Sequence, residues 1–382
     1  MGGKIFVHIG GEKTGTTSLQ EFLTRNASKL SPQGFYYPSE PDNIIFSHTA
    51  HFPVAASLID QKVGFIDRQR RTTLSLVPAS LKRTIAGTNC TTILSCEHFS
   101  SRLKNVEQLR ALRNLLPADE IKIVYYIREP SDLALASWST FVLCGGRQEF
   151  DPSIVVPANR YFNHLETLRL WGTVFGDENL IVREYKRLAL RCGDIRRDFC
   201  DVLGIQTAAM QFDQDANQSI DLQRLEVLRY LNFALSEFHE CEDKWLVAEN
   251  LRAVVSSHIP EGGDLNMLIS EKERTAIKAR FYDVNRQINE KYLSGRLSND
   301  WFPDPEMSRK NSVATTPTQD ISPILRETII RLATTMDASN RKLRETQQLR
   351  KAPRCKERRL SRFFKRLRRA SGRLLELSSV RN

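Results

Sequence analysis

The sequence predicts an α/β fold in which a central, mainly parallel sheet is covered by helices on both faces. Two observations carry that expectation. Four short runs rich in apolar and β-branched residues read as buried strands, at 4–9, 91–96, 121–127 and 179–183. Segments with helical spacing lie between and after them, at 101–115, 132–143, 161–174, 187–203, 220–237 and 269–292. Strands that alternate with helices pair in parallel, because a parallel neighbour needs a crossover long enough to hold a helix. Both faces of such a sheet are buried, and ligand sites lie at the carboxyl ends of its strands.

The first strand, Lys4-Ile5-Phe6-Val7-His8-Ile9, runs directly into Gly10-Gly11-Glu12-Lys13-Thr14-Gly15-Thr16-Thr17-Ser18, and a helix follows through Leu19 to Leu23. A strand, a glycine-rich turn and a helix start together bind anions, because unpaired backbone N–H groups point into the turn. The spacing of Gly10 and Gly15 matches a nucleotide-binding P-loop, but Thr16 stands where that motif places its lysine. The only lysine of the turn is Lys13. A triphosphate-using kinase would also need an aspartate closing a second apolar strand to organise magnesium. The candidate strands end instead in Ser95-Cys96-Glu97 and Ile127-Arg128-Glu129.

The second strand end is followed by Glu97 and His98, and either is a candidate general base. Side chains alternate on an extended chain, so one of the pair is expected to face the site, with Glu97 favoured over His98. Against this stands Glu97 as a cap of the next helix. Arg128 closes the third strand and precedes a helix containing Ser131, Asp132 and Ser137. An arginine at a strand end and a hydroxyl in the next helix suit a second phosphate; the structural alternative is an Arg–Asp clasp with Asp132 as helix cap. His8 reads as a core histidine, and Arg296 as a solvated loop residue.

Residues 34–90, with Pro38, Pro41, His48, His51 and Pro53, read as an irregular segment over the site. Three domains are expected: 1–302 as the α/β domain, 303–323 as a Ser/Thr/Pro linker, and 324–382 as a helical, strongly basic C-terminal extension. Net charge is +11. Residues 341–382 hold sixteen Lys or Arg against three Glu, a net of +13, which leaves about −2 for the rest of the chain. Leu360, Phe363, Phe364, Leu367, Leu374 and Leu377 can share one helical face there, so an anionic membrane surface is the expected partner of the extension. The absence of a nucleic-acid module argues against nucleic acid. Seven cysteines without C-x-x-C spacing argue against a disulfide framework and against a metal site, and no apolar run suits a signal peptide or a membrane span. A cytoplasmic protein is expected, with peripheral attachment at the inner membrane face.

With these motifs the chain resembles the sulfotransferases that use 3′-phosphoadenosine 5′-phosphosulfate (PAPS), in particular the bacterial carbohydrate-type members, over roughly residues 4–302. The Lys13-Thr14-Gly15-Thr16-Thr17-Ser18 turn resembles the family's 5′-phosphosulfate loop, whose lysine precedes Gly-Thr-Thr. Arg128 and a downstream serine resemble its 3′-phosphate clamp. The family usually places that serine eight residues after the arginine, where this chain has Ala136; Ser137 lies nine after, and Ser131 is the substitute. Asn179–Tyr185, the Asn217-Gln218-Ser219 turn and the helix with Asn285, Asn289 and Tyr292 support the match.

The resemblance implies a three-layer P-loop domain and transfer of a sulfuryl group from PAPS to a hydroxyl on a carbohydrate or glycolipid. Lys13, Thr14, Gly15, Thr16, Thr17, Ser18, Arg128 and Ser137 would bind the donor; Lys13 with Glu97 or His98 would carry the chemistry, without a metal. The rivals are a nucleotide-dependent kinase and a non-catalytic membrane- or polyanion-binding adaptor.

Overall fold

A computed structural model describes residues 3–40, 43–59, 72–212, 220–234, 251–257 and 259–303. The linker and the basic extension lie outside the described residues apart from Pro303, and so does the Asn217–Ser219 turn.

The chain forms an α/β fold around a five-stranded parallel sheet. Its strands are β1 (Lys4–His8), β2 (Phe35–Tyr36), β3 (Thr91–Ser95), β4 (Glu120–Ile127) and β5 (Leu180–Glu184), in the spatial order β2-β3-β1-β4-β5. In register, Val7 of β1 stands opposite Leu94 of β3 and Ile123 of β4. The chain first builds the β3 side of β1 and then crosses to the β4 side. The carboxyl ends of β1 and β4 therefore flank the point where connections diverge, the place where open α/β sheets bind ligands.

Period-two alternation divides the core. Ile5, Val7 and Ile9 pack on one face of the sheet with Leu94, Ile123 and Trp171, while Phe6 packs on the other with Leu19, Leu23, Tyr126 and Phe199. The principal helices are α1 (Thr16–Arg25), α2 (Val77–Ala86), α3 (His98–Arg102), α4 (Val106–Leu115), α5 (Pro130–Leu143), α6 (His164–Phe175), α7 (Ile195–Leu203), α8 (Leu222–Ala234), α9 (Glu271–Arg280) and α10 (Tyr282–Tyr292).

Several expected elements differ in detail. The segment 34–90 is not wholly irregular: Phe35 pairs with Thr91 to make an edge strand, and 52–56 and 77–86 are helical. The expected helix at 101–115 is two helices, because Leu103 is extended and Asn105 starts α4 by accepting the Gln108 N–H at 2.9 Å. The helix expected from 187 begins at Ile195, where Asp194 accepts the Arg196 N–H. The long helix at 269–292 breaks at Phe281.

The chain divides into two compact units. Of the described residues, the first unit holds the sheet and comprises those within 1–137, 152–212 and 271–303. The second comprises those within 138–151 and 220–270, and its core gathers Trp138, Val142, Leu225, Leu228, Leu231, Leu251 and Val255. All the candidate site residues belong to the first unit.

Candidate functional site

The turn after β1 is held by contacts that only its own residues can make. Gly10 has φ 80°, and a Cβ there would lie 2.7 Å from both Cα and Cβ of Glu97. A Cβ on Gly11 would lie 2.6 Å from the Tyr126 carbonyl. Lys13 is left-handed at φ 62°, a conformation uncommon outside glycine, which marks a locally constrained backbone. The Thr14 hydroxyl is buried and donates to the Gly11 carbonyl at 2.6 Å, so it braces the turn from inside. Gly15 is also left-handed and carries no side chain to cap α1. Amides of the first helical turn, at Thr16 and Thr17, thus start the helix without a side-chain cap, and the half-buried Lys13 ammonium has no hydrogen bond or ion pair among the described residues.

Arg128, one residue beyond β4, reaches this turn. Its Nη1 donates to the Lys13 carbonyl at 2.8 Å, and its guanidinium lies 5.7 Å from the centre of the Tyr185 ring. One of its five N–H donors is engaged among the described residues, which leaves a fork of donors beside the lysine. The Arg128 backbone is pinned by buried His164. Burial pushes that histidine down to about 4, so it is neutral; Nε2–H donates to the Arg128 carbonyl at 2.8 Å, and Nδ1 accepts the Tyr125 hydroxyl at 2.8 Å.

The Arg–Asp clasp is not formed. Asp132 bonds to Arg274 at 3.0 Å, and Glu129 takes the capping role, accepting the Asp132 N–H at 3.0 Å and the Ser131 hydroxyl at 3.1 Å. Ser131 is fully buried and committed to that cap. Ser137 instead hydrogen-bonds the Tyr161 hydroxyl, which also donates to Glu12 Oε2 at 3.1 Å. A chain of polar groups therefore joins Ser137, through Tyr161, to the turn.

Glu97 and His98 do not lie on extended chain. Glu97 has φ −66° and ψ −23°, so strict alternation does not separate the two side chains. Glu97 occupies the cap position of α3 without capping it through its side chain; Oε2 accepts the Gln20 amide at 2.9 Å. His98 lies 4.0 Å from Glu12, and burial, its largest influence, lowers its pKa against the opposing pull of Glu97 and Glu12.

His8 is buried in the core, as its place in the strand suggests, with Nδ1 2.8 Å from the Ser95 hydroxyl. Arg296 is exposed and donates to the Leu293 carbonyl. Asn285 and Asn289 bond to the backbone at Trp301 and Leu297, and so act within the fold. Glu12, Gln20, Tyr161 and His164 form part of the site without having been singled out in the sequence. Gln20 carried a signal, a polar side chain between Leu19 and Leu23 on an otherwise apolar helix face.

No protein-family model matches the chain. An uncharacterized protein of Archaeoglobus fulgidus is 27% identical over 202 residues, 53% of each chain, so this chain matches about half the length of that relative. The crystal structure of a sulfotransferase from Alicyclobacillus acidocaldarius aligns with a TM-score of 0.39 and 18% identity, over 64% of this chain and all of that one.

Proposed function

We propose that the chain is a PAPS-dependent sulfotransferase acting on a hydroxyl of a carbohydrate or glycolipid. The observation that carries the proposal is the 2.8 Å hydrogen bond from Arg128 to the Lys13 carbonyl, which joins two residues whose cationic groups have no ion pair among the described residues, beyond the carboxyl ends of β1 and β4. The donor chemistry fits these groups. An uncapped helix start, a lysine with no hydrogen bond or ion pair among the described residues and an arginine with spare donors among them suit a ligand carrying two separate phosphates.

Lys13 and the α1 amides would bind the 5′ end of the donor and stabilise charge that develops on the leaving phosphate. Arg128, with Ser137, would hold the 3′-phosphate. Glu97 would take the acceptor proton through Oε1, which has no protein partner among the described residues, since Oε2 is held by Gln20. His98 is the alternative base. The basic extension would bring the enzyme to an anionic membrane face from the cytoplasm; no helix of the described residues is long and apolar enough to cross a membrane.

A transfer assay with labelled PAPS against glycans, glycolipids and small phenols tests the proposal. Label is expected on a glycan or glycolipid hydroxyl, and Lys13→Ala should lower the rate by about 100-fold or more, as for loss of one oxyanion donor. Transfer that survives Lys13→Ala at the wild-type rate would refute the assignment of the turn.

A further inference from the structure

The route by which the glutamate is held suggests a specific coupling between the two sides of the site. We infer that Gln20 is the positioning residue of the Glu97 carboxylate, fixing it to the same helix whose first turn faces the donor. The role deepens the transfer reaction proposed above and rests on it for the word base; the hydrogen-bond geometry itself does not.

Gln20 lies on the second turn of α1, 3% exposed, with Leu19 and Leu23 buried beside it. Its side-chain amide donates to Glu97 Oε2 at 2.9 Å and to the Ser95 hydroxyl at 3.3 Å. Both amide protons are thereby used. Ser95, accepting from Gln20, must send its own proton elsewhere, and His8 Nδ1 lies 2.8 Å away. The far edge of the His8 ring lies against the rings of Tyr126 and Phe199. Burial holds this histidine near 3, so the ring stays uncharged across the neutral range. A flipped Gln20 would aim its carbonyl at a carboxylate. The carboxylate therefore sets the direction of the amide, and the buried amide, braced on the Ser95 hydroxyl, holds Oε2 in place.

Backbone packing reinforces the link, because Gly10 approaches Glu97 too closely for any side chain to intervene. A ligand that orders the start of α1 thus also orders the carboxylate one turn further along. Oε2 is occupied and Oε1 is left for the acceptor.

The groups within electrostatic reach of Glu97 are Tyr37, from the segment after β2, and Cys96 and His98 beside it, with Glu12 acting on the last two. Burial raises Tyr37 and Cys96, so both stay neutral across the carboxylate range, whereas His98 is lowered towards it. The test is therefore run with and without His98→Gln.

The experiment follows the Glu97 carboxyl by ¹³C NMR in the full-length chain, assigned with Glu97→Gln, in wild type, Gln20→Leu and Gln20→Glu. At pH 7.5 Gln20→Leu should shift and broaden the Glu97 carboxyl resonance, through loss of the hydrogen bond that holds Oε2, and the near-isosteric Gln20→Glu should shift it further, because a second carboxylate then faces the first. In transfer assays kcat should fall about tenfold in both variants, while KM for the acceptor and affinity for 3′-phosphoadenosine 5′-phosphate stay within about twofold of wild type. An identical Glu97 carboxyl resonance in all three proteins would overturn the inference. A wild-type chain without transfer activity would overturn the proposed function instead, while the Glu97 carboxyl resonance would still decide the role of Gln20.

Discussion

At the scale of single residues, the site depends on backbone positions that admit little substitution. Gly10 combines a positive φ with a contact that would place a Cβ 2.7 Å from the Glu97 backbone. Gly10→Ala is expected to destabilise the fold by about 1–3 kcal/mol, since either the strand end or Glu97 must move. Urea denaturation checks this, and an unchanged midpoint would contradict the close approach. Lys13 accepts a strained conformation that places its carbonyl on Arg128. Arg128→Lys keeps the charge but loses the fork that serves the carbonyl and, under the proposed function, would also hold a phosphate; affinity for 3′-phosphoadenosine 5′-phosphate should fall about tenfold or more. Binding calorimetry at matched ionic strength gives the value.

At the scale of elements, the strands and the longer helices are legible in the sequence because burial on two faces imposes apolar runs and a covering face imposes spacing. Lys13, Glu97 and Arg128 are legible for a related reason, as charged residues just past apolar strands. What escapes is set by short or long-range features. β2 is two residues long and has no period to read. Asn105 divides an apolar repeat that leucines alone would carry through, and Asn105→Ala should cost about 1 kcal/mol, read from denaturant unfolding, by leaving the Gln108 N–H uncapped. The partners Gln20 and Glu97 are 77 positions apart, and Glu12 and Tyr161 149 apart. Such pairs are made by the sheet order, which no local pattern encodes. The premise that Glu97 and His98 lie on extended chain failed because the strand ends at Ser95 and the chain is already turning into α3.

At the scale of the whole molecule, three buried histidines tie stability to pH. Burial, the largest cause in each case, holds His8 to about 3 and His51 and His164 to about 4. In the unfolded chain each takes a proton near 6.5. Their depressed values therefore leave stability intact above pH 6.5 and remove it as pH falls towards 4, by about 1 kcal/mol per histidine for each pH unit. Unfolding by urea at pH 7.5, 6.5, 5.5 and 4.5 should show a plateau and then a fall; a flat profile to pH 4.5 would mean that these rings are accessible to water in the fold. The sheet that buries them also brings β1 and β4 together, and the central claim is that their ends form one donor site. The most direct measurement is calorimetric binding of 3′-phosphoadenosine 5′-phosphate to wild type, Lys13→Ala and Arg128→Ala. Binding to wild type, weakened about tenfold or more by each substitution, is the predicted result; equal affinity for all three proteins, or none for wild type, would contradict it.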